Sequence, residues 1–340
     1  MVRTLIVAPN WIGDALLAQP LFARLRDQQP GLRLDALAPP WTAPVLARMP
    51  EIDEVIPSPF AHGQLKLGAR WRLARGLRAR DYQRAIVLPN SWKSALIPFL
   101  AGIPERVGYV GEARYGLLNV RHKLDETSLP LMADRYAKLA EGREEGPQRP
   151  LPDTYLKVDE ANLIITVGRY GLDRSRPVIA MCPGAEFGPS KRWPPRHFAS
   201  LAQRLAQRGM QVWLLGSAKD RPVADEIVAL ARGAAVNNLC GKTDLYGAID
   251  LLSVANCVVT NDSGLMHVAA ALGRPLVALY GSTSPTHTPP LAKRARLVTL
   301  NVECSPCYQR QCPLGHFKCM NDLLPDRVMM EIDRLHPAAA

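Results

Sequence analysis

Short apolar runs alternate with stretches whose apolar residues recur every three or four positions, and this alternation persists along most of the chain. Residues 4–8, 32–38, 54–56 and 84–88 read as strands, with helices near 42–48 and 64–80 between them. A second series follows. Residues 178–182, 212–216, 235–239, 257–260 and 276–280 read as strands, separated by helices near 196–208, 221–231, 244–254 and 264–272. Strands and helices in strict alternation imply an α/β fold built on parallel sheets. Between the two series, after Glu141, the composition changes to Gly142, Gly146, Pro147, Pro150 and Pro152 among charged residues, which marks a linker. The expected organisation is two Rossmann-like, doubly wound domains, 1–150 and 151–340, facing across a cleft. The last helix is free to pack back on the first domain.

Two strand-to-helix turns carry candidate chemistry. In the second series, Asn261-Asp262-Ser263-Gly264 lies where the strand 257–260 gives way to the helix 264–272. Open parallel sheets bind ligands at the carboxyl ends of their strands, and the free N–H groups of a helix start favour an anion. The ordinary alternative is that Asp262 or Ser263 is simply the helix cap. At ~100° per residue His267 falls roughly 200° from Leu265, so it is expected off the apolar stripe, exposed beside the turn. In the first series, Asn10-Trp11-Ile12-Gly13-Asp14 leads into a helix carrying Ala15, Leu16, Ala18, Leu21, Phe22 and Leu25. Asp14 is either a cap or a general base; the residues alone leave both open.

After the strand 178–182 comes a long loop, Pro183-Gly184-Ala185-Glu186-Phe187-Gly188-Pro189-Ser190-Lys191-Arg192-Trp193-Pro194. Two adjacent cations in a loop at a strand's carboxyl end suit a phosphate. The familiar nucleotide fingerprints are missing: no Gly-x-Gly-x-x-Gly follows the first strand, and Gly241-Lys242-Thr243 fails as a P-loop because Val236 stands where its earlier glycine should be. A nicotinamide dehydrogenase and a P-loop kinase are thereby disfavoured.

Charge sharpens this picture. A net charge of +11 implies an anionic partner: a phosphorylated substrate, a nucleic acid or a membrane surface. Much of it is concentrated in the segment 64–84, where Lys66, Arg70, Arg72, Arg75, Arg78, Arg80 and Arg84 face the single acid Asp81, with Leu65, Ala69, Leu73 and Leu77 as the buried line. Those cations are either a solvated helix face or a docking face for phosphates or anionic lipid. The apolar runs fall short of the ~18 residues of a membrane span. The amino terminus does not read as an export signal, so the cysteines are expected reduced, in the cytoplasm. Four of them, Cys304, Cys307, Cys312 and Cys319, form C-x2-C-x4-C-x6-C with His316 inside. Such a set could hold zinc, but the spacing is not that of a zinc ribbon, which favours a reduced cluster or an adventitious disulfide over a metal site.

Taken together, Asn10–Asp14, the 183–194 loop, Leu88-Pro89-Asn90-Ser91-Trp92-Lys93-Ser94-Ala95, Asn261 to His267 with Tyr280-Gly281, and the late cysteines closely resemble the ADP-heptose:lipopolysaccharide heptosyltransferases. The resemblance covers nearly the whole chain. It implies a GT-B fold and an inverting, metal-independent transfer of L-glycero-D-manno-heptose from ADP-heptose, a substrate rather than a cofactor, to the first heptose of heptosyl-Kdo2-lipid A. Asp14 would deprotonate the acceptor in the first domain. Lys191, Gly184, Asp262, Ser263, Gly264 and His267 would hold the donor in the second, with Thr243 and Asp220 as position-based candidates for the adenosine. Arg70, Arg72, Arg75 and Arg78 would face the acceptor or the anionic inner membrane, the enzyme being peripheral on its cytoplasmic side. Two rival readings are a paralogous member adding the first or third core heptose, and a basic nucleic-acid-binding protein, which lacks any known binding motif here.

Overall fold

A computed structural model describes residues 2–60, 64–142 and 145–336. The chain forms two compact units, Met1–Leu156 and Lys157–Ala340. The first holds a sheet of six parallel strands: β1 Arg3–Val7, β2 Arg33–Ala38, β3 Glu54–Pro57, β4 Arg84–Val87, β5 Glu105–Tyr109 and β6 Val120–His122. The second holds β7 Val178–Cys182, β8 Gln211–Leu214, β9 Val236–Asn238, β10 Cys257–Asn261, β11 Leu276–Leu279 and β12 Ala295–Val298, again all parallel.

The spatial order is β3-β2-β1-β4-β5-β6 in the first sheet and β12-β11-β10-β7-β8-β9 in the second. Counted from the first strand of each unit, the two orders are the same doubly wound 3-2-1-4-5-6. The central strands are apolar on both faces because helices cover both: β7, β10 and β11 are buried throughout. In such a sheet the chain leaves in opposite directions from the two middle strands, opening a crevice at their carboxyl ends. That crevice lies between β1 and β4 in one unit and between β7 and β10 in the other.

The last helix, Pro325–Leu335, packs within the second unit. Val328, Met329 and Ile332 are buried in the second unit's core with Phe198, Leu201 and Val298. The basic helix also differs from the expected 64–80. It spans Leu67–Arg78 and starts after Lys66, whose φ of 38° is left-handed and cannot continue a helix. Its buried line runs through Arg70, Ala74 and Leu77, so Arg70 occupies a core position rather than a docking face.

Candidate active site

In the second unit, the site is assembled by strands distant in sequence. Asn261, the last residue of β10 and fully buried, clips both ends of the loop that follows β7. Its Nδ2 donates to the Pro183 carbonyl at 2.7 Å and its Oδ1 accepts from the Trp193 amide at 3.1 Å. Trp193, itself fully buried, packs edge-on to Phe198 and donates from Nε1 to the Leu323 carbonyl at 2.7 Å. The loop's far end is thus fixed to the core.

The fixed loop delivers Lys191 to Asp262. Lys191 Nζ donates to Asp262 Oδ2 at 2.5 Å, and Thr283 Oγ1 donates to the same oxygen at 2.6 Å. Asp262 therefore holds the lysine rather than capping the helix. Ser263 is the cap residue of Gly264–Ala271 by backbone geometry, yet its side chain makes no capping bond. The ordinary capping reading fails at both residues. The helix start keeps its first N–H groups without a side-chain partner, next to an ammonium, which is an arrangement suited to an anion.

His267 corrects the helical-wheel expectation. It is 5% exposed, because every residue from Met266 to Ala271 is buried and this short helix has no solvent face there. Burial pushes its pKa down to about 4, with Asp262 opposing and Lys191 reinforcing the shift. The imidazole is neutral near pH 7, and its buried Nδ1 has no hydrogen-bond partner. An orphaned buried nitrogen beside an ammonium and open helix amides is a place for a polar ligand.

The remaining donor candidates divide. Thr243 Oγ1 is buried and also lacks a partner, consistent with a ligand contact. Asp220 is otherwise engaged: its Oδ2 accepts from the Ser217 amide and hydroxyl at 2.9 and 2.8 Å, closing a capping box. Gly184 lies against that carboxylate, where a Cβ would come within 2.5 Å of it, so glycine is what lets the loop pass. Sequence reasoning missed Thr283, Ser282 and Arg310. Ser282 Oγ lies 3.0 Å from Ser190 Oγ, and the Arg310 guanidinium shares the Phe187 ring with Lys191, at 5.5 and 4.9 Å from its centre. The sequence signal was weak, since Arg310, 29 residues past Gly281 and inside the cysteine segment, has no spacing rule to tie it to the donor loop.

In the first unit, the β1–β4 crevice carries Asp14. It is the third residue of the helix Ile12–Leu17, whose cap residue is Trp11, so Asp14 is not the cap. Its charge helps raise the pKa of the nearby buried Tyr136 phenol, after the larger effect of burial. Two exposed indoles frame the turn: Trp11, and Trp41, whose Nε1 donates to the Asn10 carbonyl at 2.7 Å. Beyond β4, buried Arg114 donates to the Pro89 carbonyl and to Asn90 Oδ1 at 2.8 and 3.0 Å, and Ser91 Oγ caps its helix by accepting from the Ser94 amide at 3.3 Å.

The basic segment is less free than its sequence implies. Arg70 is 6% exposed, donates to the carbonyls of Gln64, Leu65 and Lys93, and stacks 4.2 Å from the Phe60 ring centre. Arg80 pairs with Glu54 at 2.7 Å and Arg84 with Glu105 at 3.1 Å. Arg72 and Arg75 remain exposed, as does Arg78, which donates to the Leu100 carbonyl at 2.8 Å. They share their helix with exposed Leu67 and with Trp71, which Arg75 overlies at 5.6 Å. Among the described residues no helix is long and apolar enough to cross a membrane.

Residues 70–318 match Glycosyltransferase family 9 (heptosyltransferase). The chain is 45% identical to lipopolysaccharide heptosyltransferase 2 of Escherichia coli strain K12, over 98% of each chain. It is 44% identical to lipooligosaccharide heptosyltransferase 2 of Haemophilus influenzae, over 98% of this chain and 99% of that one. The solved structure titled E. coli ADP-heptose lps heptosyltransferase II is 43% identical, superposes with a TM-score of 0.89 and covers 98% of each chain.

Proposed function

The chain belongs to glycosyltransferase family 9, the heptosyltransferases, and from that premise we propose how its two crevices transfer a heptose. Its fold is the GT-B type. It is a heptosyltransferase of lipopolysaccharide inner-core biosynthesis of the kind called heptosyltransferase 2, with ADP-heptose as donor and the lipopolysaccharide core as acceptor. The paralogous first- and third-heptose readings are not favoured, and the nucleic-acid reading loses Arg70, Arg80 and Arg84 to internal partners.

The observation that carries the mechanism is the pairing of Lys191, held by Asp262, with the uncapped start of Gly264–Ala271. In our reading the donor diphosphate sits there. The acceptor hydroxyl, on the first heptose of heptosyl-Kdo2-lipid A, attacks the anomeric carbon, and the carbon–oxygen bond to the diphosphate breaks with its electron pair leaving on ADP. Asp14 takes the hydroxyl proton. The growing charge on ADP is met by the ammonium and the amides, aimed in advance and partly shielded from water, so no divalent cation or other cofactor is called on. Neutral His267 offers Nδ1 to the donor without adding charge. Attack opposite the leaving group inverts the anomeric centre.

The acceptor is lipid-anchored, and in this reading the enzyme is a cytoplasmic protein that meets it at the inner-membrane surface. The exposed pair Leu67 and Trp71, flanked by Arg72, Arg75 and Arg78, supports that contact: an indole and an aliphatic side chain enter the interface while the guanidinium groups meet anionic headgroups. Offering purified protein ADP-L-glycero-D-manno-heptose with Kdo2-lipid A carrying zero or one heptose, and recording ADP release, tests the assignment. Release with the unheptosylated acceptor alone would overturn it.

A further inference from the structure

The cysteine segment stands outside the mechanism above, yet it is wired into the donor loop. Ser190 donates from its amide to the Arg310 carbonyl at 3.2 Å, and the Ser190 hydroxyl bonds the Gln309 carbonyl. Tyr308 donates from its amide to the Ser282 carbonyl at 2.7 Å, and Ser305 Oγ to the Gly281 carbonyl at 2.5 Å. At Gly188 a Cβ would come within 2.4 Å of the Arg310 carbonyl oxygen, so the two loops touch backbone to backbone. Residues 308–311, between the second and third cysteines, are therefore the floor under Lys191 and the source of Arg310.

Nothing of regular secondary structure holds that floor between Val298 and the short helix Lys318–Asn321. Its own apolar content is slight, and Tyr308 and Leu314 point outward, exposed. A segment ordered without a core of its own is held by something else. What it does have is Cys304, Cys307, Cys312 and Cys319, all free thiols, lining one small cavity of about 20 Å³ together with His316. That volume suits one ion or one water molecule. The Phe317 amide donates to Cys312 Sγ at 3.4 Å across a turn with left-handed Gly315, so a backbone dipole already points at a sulfur where negative charge would be stabilised. Among the described residues no three such side chains yet meet at coordination distance, so the sulfurs surround the cavity without closing on it.

We propose that Cys304, Cys307, Cys312 and Cys319 bind one soft divalent cation, zinc in the first instance, and that this ion fixes residues 304–319 against the donor loop. Two residues between the first pair are the spacing of a structural chelate, and four sulfur ligands make a closed tetrahedral site with no open position for chemistry. On binding, four S–H bonds give four metal–sulfur bonds and release four protons to solvent. The metal is structural, and its action on the donor loop rests on the reading of Lys191 given above.

The test separates the two parts. Protein purified without chelator, and protein stripped and reloaded with zinc, is assayed for metal by mass spectrometry and for reactive thiols before and after chelation. About one zinc per chain is expected, with four further thiols exposed on its removal. Reloading with cobalt should give the intense sulfur-to-metal charge-transfer absorption of a four-thiolate site. Cys307→Ser/Cys312→Ser should abolish both signals, while Cys257→Ser, in the buried strand β10, should keep them. Absence of zinc after reloading, or an unreduced mass two hydrogens light showing a disulfide, overturns the site. Stripping should also weaken ADP binding roughly tenfold, with the circular dichroism spectrum kept, as expected when a preorganised loop is loosened. Unchanged ADP affinity after stripping of a demonstrated zinc would overturn the coupling and leave the site. Metal binding does not depend on which sugar nucleotide is used, so failure here is distinguishable from failure of the heptosyl assignment.

Discussion

Replacing His267 by Gln should flatten the acid limb of the stability curve. His267 is buried with its pKa pushed down to about 4, against an ordinary value of ~6.5 in the unfolded chain. Between these two values the unfolded chain binds the proton and the folded one does not, so stability rises with pH across that window. The contribution is fully present above ~6.5 and is lost as pH falls towards 4. From pH 7 to pH 5 the single group should cost the folded state about 2 kcal/mol, which for a unit of this size corresponds to roughly 4–8 °C in Tm. Differential scanning calorimetry of wild type and His267→Gln at both pH values reads the difference directly. His197, whose pKa burial also lowers, is present in both proteins and cancels. The variant should lose about 2 kcal/mol less than wild type between pH 7 and 5. Parallel pH dependences would show that His267 charges freely in the folded protein, and with that the neutral, ligand-facing imidazole would go.

Asp14→Asn should lower turnover by roughly 10²–10⁴-fold with Tm nearly unchanged; near wild-type turnover would return Asp14 to a first-turn helix residue without a proton to take. Lys191→Ala should reduce kcat as well as raise KM for ADP-heptose, because the ammonium meets charge that grows in the transition state; a rise in KM alone would mean it binds ground and transition states equally. Arg72→Gln/Arg75→Gln should weaken co-sedimentation with anionic vesicles by about 2 kcal/mol, at ~1 kcal/mol per cation, and spare turnover on a soluble, delipidated acceptor. Unchanged vesicle binding would assign both arginines to ordinary solvated surface.

The central strands were legible in the sequence because helices bury them on both faces, which writes them as short apolar runs: β1, β7, β10 and β11 all show it. The strands that escaped, β5, β6 and β12, lie in the outer part of their sheets and carry Glu105, Arg106, Arg121 and Arg296. Polar residues keep such edges from pairing further, and they erase the apolar signature. The turns at Asp14 and Asp262 could be placed from strand-to-helix junctions alone. Their chemistry could not, since Lys191 reaches Asp262 from 71 positions away. The errors at Arg70 and His267 share a cause. A helical wheel knows one buried face, whereas Gly264–Ala271 is enclosed nearly all round and Leu67–Arg78 packs its arginine beneath Phe60 and a run of carbonyls.

The two sheets have the same strand order, and at the matching position of each, a serine stands at the entrance to the helix that follows the fourth strand. Ser91 closes its helix with a hydroxyl; Ser263 leaves its helix open. Halves alike in topology thereby differ at equivalent doorways, one helix start met by its own serine hydroxyl and the other left without a side-chain partner. In the reading proposed above, the donor diphosphate takes the open doorway, so the difference between the halves lies in side chains, the serine together with Lys191 and Asp262, rather than in strand order.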